Sequence, residues 1–272
     1  SGESALLPPV RTAGDLNAEA RKWGLHETGP CGRNFGVKGV WMPDRRRMIF
    51  AGANTSTPHR LNDVWEYDLP SNTWNCLYGP DASKGWKNAE WSDSRIVDGV
   101  LRTRRGGPAI IGQEWWHVTY DPGLKAMLFM NVWNSVGKTV RARYIDTGLH
   151  DHHPPLWAFY PQEGRWEPIR SGKPHPPAGG GGGCFEYVPA LGGCVWAHGG
   201  PTRSGLWVYH SADGRWESLL DKRGPPRERK DFPGINGVAA WCPDPGILVL
   251  TAGDPAKGNC RTWHFSVAER RW

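Results

Sequence analysis

Arginine and lysine interleaved with tryptophan make up the residues best suited to chemistry in this chain. Segment 79–112 sets Lys84, Lys87, Arg95, Arg102, Arg104 and Arg105 against Asp81, Glu90, Asp93 and Asp98, a net +2, with Trp86 and Trp91 among them. Segment 134–155 follows Trp133 and sets Lys138, Arg141 and Arg143 against Asp146 and Asp151, a net +1. In 221–232 five basic residues face Asp221, Glu228 and Asp231, a net +2. These segments hold +5 of the chain's formal +6. A guanidinium presents a bidentate fork to carboxylate, sulfate or phosphate, and an indole presents a flat stacking surface. That pairing suits an acidic glycan. It is equally the composition of protein-interface hot spots, so an acidic protein partner is the other reading, and ordinary exposed-loop composition is the third. The expected ligand residues are Trp86, Trp91, Arg102, Arg104, Arg105, Trp133, Arg141, Arg143, His152 and His153.

Histidine and cysteine carry less. His150-Asp151-His152-His153-Pro154-Pro155 could offer alternate imidazoles to a metal, and a solvated, Pro-flanked loop explains it as well, so no metal and no cofactor is assigned. No CxxC or Cys/His cluster has zinc spacing. Six cysteines allow up to three disulfides or six thiols. Cys184 and Cys194 flank 185–193, and a hairpin turning near Pro189 would set them opposite one another; the alternative is two ordinary strand cysteines. The expected location is secreted, periplasmic or cell surface. No apolar run approaches the ~18 residues of a membrane helix, and no concentrated basic stripe or recognition motif points to nucleic acid.

The elements that must position these residues are short strands. Seventeen Trp, 36 Gly and 24 Pro indicate many tight connections and little helix. Four stretches read W-x-[YF]-x6-W: Trp65 to Trp74, Trp157 to Trp166, Trp207 to Trp216 and Trp263 to Trp272. Each is preceded by an aromatic-x-Pro element: Trp41-Met42-Pro43, Tyr120-Asp121-Pro122, Tyr187-Val188-Pro189 and Trp241-Cys242-Pro243. Between the two lies a hydrophobic run, such as Met48-Ile-Phe-Ala-Gly52 or Leu248-Val-Leu-Thr-Ala-Gly253, and a fourth segment follows the last Trp, as in Trp216-Glu-Ser-Leu-Leu220.

This repeat resembles the kelch repeat, in which a hydrophobic strand ending in glycines precedes a Tyr and a Trp six residues apart. The resemblance covers roughly 33–272, with departures: only the third repeat keeps Gly-Gly, as Gly199-Gly200, and the second and fourth use Phe for Tyr. It implies an all-β, kelch-type β-propeller of four recognisable four-stranded blades in one domain, 1–272, with repeats at about 33–78, 114–170, 181–220 and 234–272. The last repeat stops at Trp272, and Glu3-Ser4-Ala5-Leu6-Leu7 matches Glu217-Ser218-Leu219-Leu220, so 3–8 is expected to complete the last blade. A larger propeller of which this is a part is the rival. The family also implies enzyme alternatives. A polysaccharide lyase would draw base, acid and cation from His117, His198, Tyr144 and Arg143. A copper-radical oxidase similar to galactose oxidase would need two Tyr, two His and a Tyr–Cys cross-link. A non-catalytic binding or scaffold role is the leading reading, because fold does not specify reaction.

In four-stranded antiparallel blades the connections after strands one and three share one face. Those here read as tight turns (43–45, 121–123, 162–164, 212–214) and leave no room for a site. The basic segments all emerge on the opposite face, which is therefore the expected binding face. His117 on an inner strand is either a channel-lining or a satisfied core histidine, and both roles stay open for His198.

Overall fold

The computed structural model describes residues 30, 38–54, 60–79, 95–98, 100–103, 105–108, 116–130, 156–171, 174, 176, 183–198, 205–219, 239–252 and 261–271. The first blade is β1 (Val40–Met42), β2 (Arg47–Asn54), β3 (Arg60–Asp68) and β4 (Thr73–Tyr78). A hairpin, β5 (Arg95–Val97) and β6 (Val100–Arg102), precedes the second blade, β7 (Val118–Asp121), β8 (Ala126–Met130), β9 (Leu156–Tyr160) and β10 (Arg165–Pro168). The third is β11 (Gly183–Val188), β12 (Gly193–His198), β13 (Gly205–His210) and β14 (Arg215–Ser218). The fourth is β15 (Ala239–Cys242), β16 (Ile247–Ala252) and β17 (Arg261–Ser266). Each sheet is an antiparallel meander in chain order, and together they form a four-blade β-propeller.

Blade four shows three strands among the described residues, plus a bridge, Ser266↔Arg271. That bridge is equivalent to the first β3–β4 pair, Asp68↔Thr73. The expected closing segment 3–8 lies outside the described residues.

Register explains the seven-residue spacing of the repeat. Tyr67, Phe159 and Tyr209 stand directly opposite Trp74, Trp166 and Trp216 across a four-residue turn. Their ring centroids lie 4.8, 5.1 and 5.1 Å apart in tilted contact, the geometry in which aromatic pairs add to burial. The turns themselves are uniform. The last residue of every tight turn has positive φ, from Arg46 (53°) and Asn72 (51°) to Gly214 (68°) and Gly246 (80°). Glycine takes up that conformation without the Cβ clash an L residue meets.

Blades join by one rule. The face of each blade that meets the preceding blade is aromatic, and the face that meets the next is aliphatic. Phe129, Trp157, Phe159 and Trp166 of blade two pack on Val40, Met42, Ile49, Ala51 and Val64 of blade one. Phe185, Trp196, Tyr209 and Trp216 of blade three pack on Ala126, Leu128, Met130, Leu156 and Ala158 of blade two. Blade four sets Leu248, Leu250 and Phe265, with Trp241 and Trp263, on Val195, Ala197, Leu206 and Val208 of blade three. No such cluster of described residues joins blade four to blade one, and Trp41, Phe50, Tyr67 and Trp74 on blade one's aromatic face are part-exposed or exposed.

Of the two readings of Cys184 and Cys194, the structure shows two strand cysteines and not a disulfide: both thiols are free. The hairpin does turn at Pro189–Leu191, but Cys194 pairs with Tyr187 and Cys184 with Ala197. An odd offset sends side chains to opposite faces, so Cys184 enters the blade three–four core and Cys194 the blade two–three core. Burial raises the Cys184 thiol to about 12 and moves that of Cys194 well upward.

Candidate binding faces

The tight turns occupy one end of every blade and the longer connections the other, as parity requires. On the long-loop face, segment 79–112 is not a plain loop. Asp98-Gly99 between Ile96-Val97 and Val100-Leu101 is a two-residue hairpin signal, Asp98 has φ 49°, and β5–β6 results. The hairpin is fixed at the seam between blades one and two. Val100 enters their shared core, Asn62 Nδ2 donates to Thr103 Oγ1 (3.4 Å) and Pro108 O (3.2 Å), and Arg170 donates to Asp98 O. Gly107 fits there because a Cβ would lie 2.8 Å from both Asn62 Nδ2 and Tyr78 Oη.

Of the expected ligand residues, Arg102 and Arg105 are described, and both belong to this hairpin region. Arg102 stands directly opposite Arg95 in the register, and its Nε is buried with no hydrogen-bond acceptor among the described residues. Arg105 lies over the Tyr78 ring, 4.6 Å from the centroid, and donates from Nη1 to Gly79 O at 3.3 Å. Trp86, Trp91, Arg104, Trp133, Arg141, Arg143, His152 and His153 lie outside the described residues.

His117 is a core residue. It is buried, with Nδ1 donating to Met130 O (3.1 Å) and the ring edge-on to Trp196 at 4.9 Å. Burial lowers its pKa to about 3, so it is neutral at ordinary pH. An imidazole buried this completely does not meet a substrate, so of the two roles left open for it His117 takes that of a core histidine. Of the other lyase candidates, Tyr144, Arg143 and the His198 side chain lie outside the described residues. Among the described residues no group of three or more His, Cys, Asp or Glu is placed to hold a metal, and no helix is long and apolar enough to cross a membrane.

The tight-turn face does have room, contrary to the expectation from its short turns. Between the ends of the inner strands lies a cavity of about 470 Å³, walled by Lys38 to Trp41 and Pro43 of blade one, Thr119, Tyr120 and Pro122 of blade two, and Glu186, Tyr187 and Pro189 of blade three. Turn length sets how far a loop projects; the gap left at the axis is set by how the inner strands splay. The missed signal was the aromatic-x-Pro element, three copies of which line this cavity. Trp41 is 45% exposed, and Tyr120 donates to Asp44 Oδ1 at 2.5 Å. Lys38 reaches across the axis to Phe185 O (2.6 Å) and pairs with the Glu186 carboxylate.

No family model matches the sequence, and no curated protein does. Among solved structures the chain is similar to TolB from Acinetobacter baumannii, at 12% identity and TM-score 0.44, over 85% of this chain and 41% of that one. It is also similar to an auxiliary nutrient binding protein from Bacteroides ovatus, at 9% identity and TM-score 0.40, over 86% of this chain and 42% of that one. The chain spans about two-fifths of the length of each.

Proposed function

We propose that the protein is a non-catalytic binding propeller whose long-loop face engages an acidic partner, a glycan or a protein surface. The observation that carries this is Arg102 on a hairpin anchored at the blade one–two seam, its Nε lacking an acceptor among the described residues. An anionic group held by the Arg102 guanidinium supplies the acceptor that the described residues do not. Arg104, Arg141, Arg143, Trp86, Trp91 and Trp133 lie outside the described residues, and we propose from the order of the sequence segments alone that they extend the surface.

The test replaces Arg102 and Arg104 with Ala and measures affinity for a sulfated polysaccharide, a polyuronate and an acidic peptide at low and high salt. The control replaces Arg165 and Arg215, exposed on the tight-turn side and held in surface ion pairs, with Arg165 also over the Tyr160 ring. Binding lost only in the first variant, and weakened by salt as exposed charge pairs are, supports the reading. Equal losses from both variants would reduce it to diffuse positive charge.

We further infer that the repeat is of the kelch type, that residues 3–8 form the outer strand begun by the Ser266↔Arg271 bridge, and that the protein acts outside the cytoplasm. Amide exchange tests the strand: protection of residues 4–7 matching that of Arg215–Ser218 is expected, and free exchange there would refute it.

A further inference from the structure

The axial cavity on the tight-turn face is independent of the basic surface, and its chemistry differs. Its walls come from three blades, so its shape is held by three sheets rather than by a loop. Three features define what it accepts. First, Trp41 sits on strand β1 with its neighbours Val40 and Met42 buried in the blade one–two core, while its own side chain is 45% exposed. The indole is thus an apolar surface open to solvent, carried on a backbone that the strand holds in place. Second, the cavity's one ammonium and one carboxylate neutralise each other: Lys38 is paired with Glu186 and donates to Phe185 O. An ionic ligand would have to break that pair, at the cost of leaving one partner unmatched. Third, the pair keeps hydrogen-bonding capacity among the described residues, since an ammonium has three donors and a carboxylate two acceptor oxygens, and the two bonds made there use two donors and one oxygen. A donor and an acceptor side by side, next to an aromatic plate, match adjacent hydroxyls on a ring whose C–H face lies on the indole.

The geometry points to a neutral pyranose as the ligand of this cavity: one sugar ring stacks on Trp41 and directs a vicinal hydroxyl pair at Lys38 and Glu186. The volume lies within the roughly 300–1,000 Å³ of small-molecule sites and admits one or two sugar rings. Thr119, Tyr120 and Tyr187 line the remaining wall. Because the polar groups are already paired, recognition is by shape and hydroxyl placement rather than by charge. A uronate is disfavoured here, and an acidic polymer is left to the opposite face.

The experiment titrates the full chain with methyl glycosides of glucose, galactose and mannose, with cellobiose, maltose and lactose, and with glucuronate, followed by saturation-transfer NMR and tryptophan fluorescence. At least one neutral sugar is expected to saturate the site, with affinity unchanged between about 0.05 and 0.5 M NaCl, because no net charge is screened. Trp41→Ala should abolish the signal, and Glu186→Gln, which removes a charged acceptor, should weaken it by about tenfold or more. Trp41→Phe, a smaller platform on the same strand, should retain weakened binding and guards against a misfolded Ala variant. Arg102→Ala should leave sugar binding intact, so failure of the basic-face reading and failure of this one are separable. Absence of saturable binding by every neutral sugar, tighter binding of glucuronate than of glucoside, or binding untouched by Trp41→Ala would each overturn the assignment.

Discussion

Replacing Trp166 with Ala tests whether the repeated tryptophans hold the blades together. Trp166 is 5% exposed and packs on Phe159 at 5.1 Å and Phe129 at 5.9 Å within the core that joins blades one and two. Its indole Nε1 donates across the seam to Asn62 O at 3.3 Å. Truncating a large buried aromatic costs about 3–5 kcal/mol through lost transfer energy and the cavity left behind. The two aromatic contacts, and a carbonyl deprived of its donor, place this site toward the upper end of that range. With a urea slope of roughly 3 kcal/mol/M, the unfolding midpoint should fall by about 1.3–1.7 M. Trp41→Ala is the matched control: the same substitution, at a residue 45% exposed, with an expected cost below about 1 kcal/mol. Equal midpoint shifts in the two variants, or a loss under about 1 kcal/mol at Trp166, would refute the division between tryptophans that cement blades and tryptophans that face solvent.

Acid should weaken the fold through His117: the unfolded imidazole protonates near 6.5 and the folded one only at about 3, so between those values the unfolded state binds more protons and stability falls as pH falls. Urea midpoints followed down from pH 7 should drop less steeply in His117→Asn, whose amide can still donate to Met130 O; identical slopes would deny His117 that role. Gly193→Ala should destabilise by about 1–3 kcal/mol, because its Cβ would lie 2.5 Å from the Tyr209 carbonyl oxygen, and an unchanged thermal midpoint would show that the hairpin yields there at no cost. Cys184 and Cys194, buried with raised thiol pKa values, should resist an aromatic disulfide reagent in the native protein while part-exposed Cys242 reacts, a pattern that mass spectrometry of the labelled peptides reads directly.

The architecture was legible because the repeat is a register statement. Residues seven apart across a four-residue turn must face each other, so W-x-[YF]-x6-W encoded strand pairing and blade face together. The outer face of the hairpin was legible in part: Arg102 and Arg105 were singled out by composition, but their fixed placement came from Asn62, Thr103 and Gly107, none of which carries a charge to attract notice. Cys184 and Cys194 misled because spacing gives the turn and not the parity of the pairing around it. The axial cavity was missed for a related reason. The aromatic-x-Pro element was seen as a repeat marker, while its position at the splayed ends of inner strands depends on how three sheets tilt against one another, a quantity no local pattern encodes.

Trp41 shows how the same packing rule creates both core and cavity. At its position Tyr120, Tyr187 and Trp241 lie on the aromatic faces of blades two, three and four, and each packs toward the aliphatic face of the blade before it. In blade one no cluster of the described residues covers that face, and the side chain required for packing elsewhere is left 45% exposed beside the axis. The strand has already ordered the backbone that carries Trp41, so a ligand that stacks there has only the side-chain torsions left to order. Lys38, two residues before the strand begins, then finds its partner on blade three rather than on its own sheet, and the Lys38–Glu186 pair forms part of the cavity wall. A substitution that breaks this pair, such as Glu186→Gln, therefore acts on the cavity while leaving the three interblade cores in place. Glu186→Gln leaves the part-buried Lys38 unmatched and so costs some stability; loss of sugar affinity in a variant that is still folded under the assay is the signature expected of a residue that serves the site.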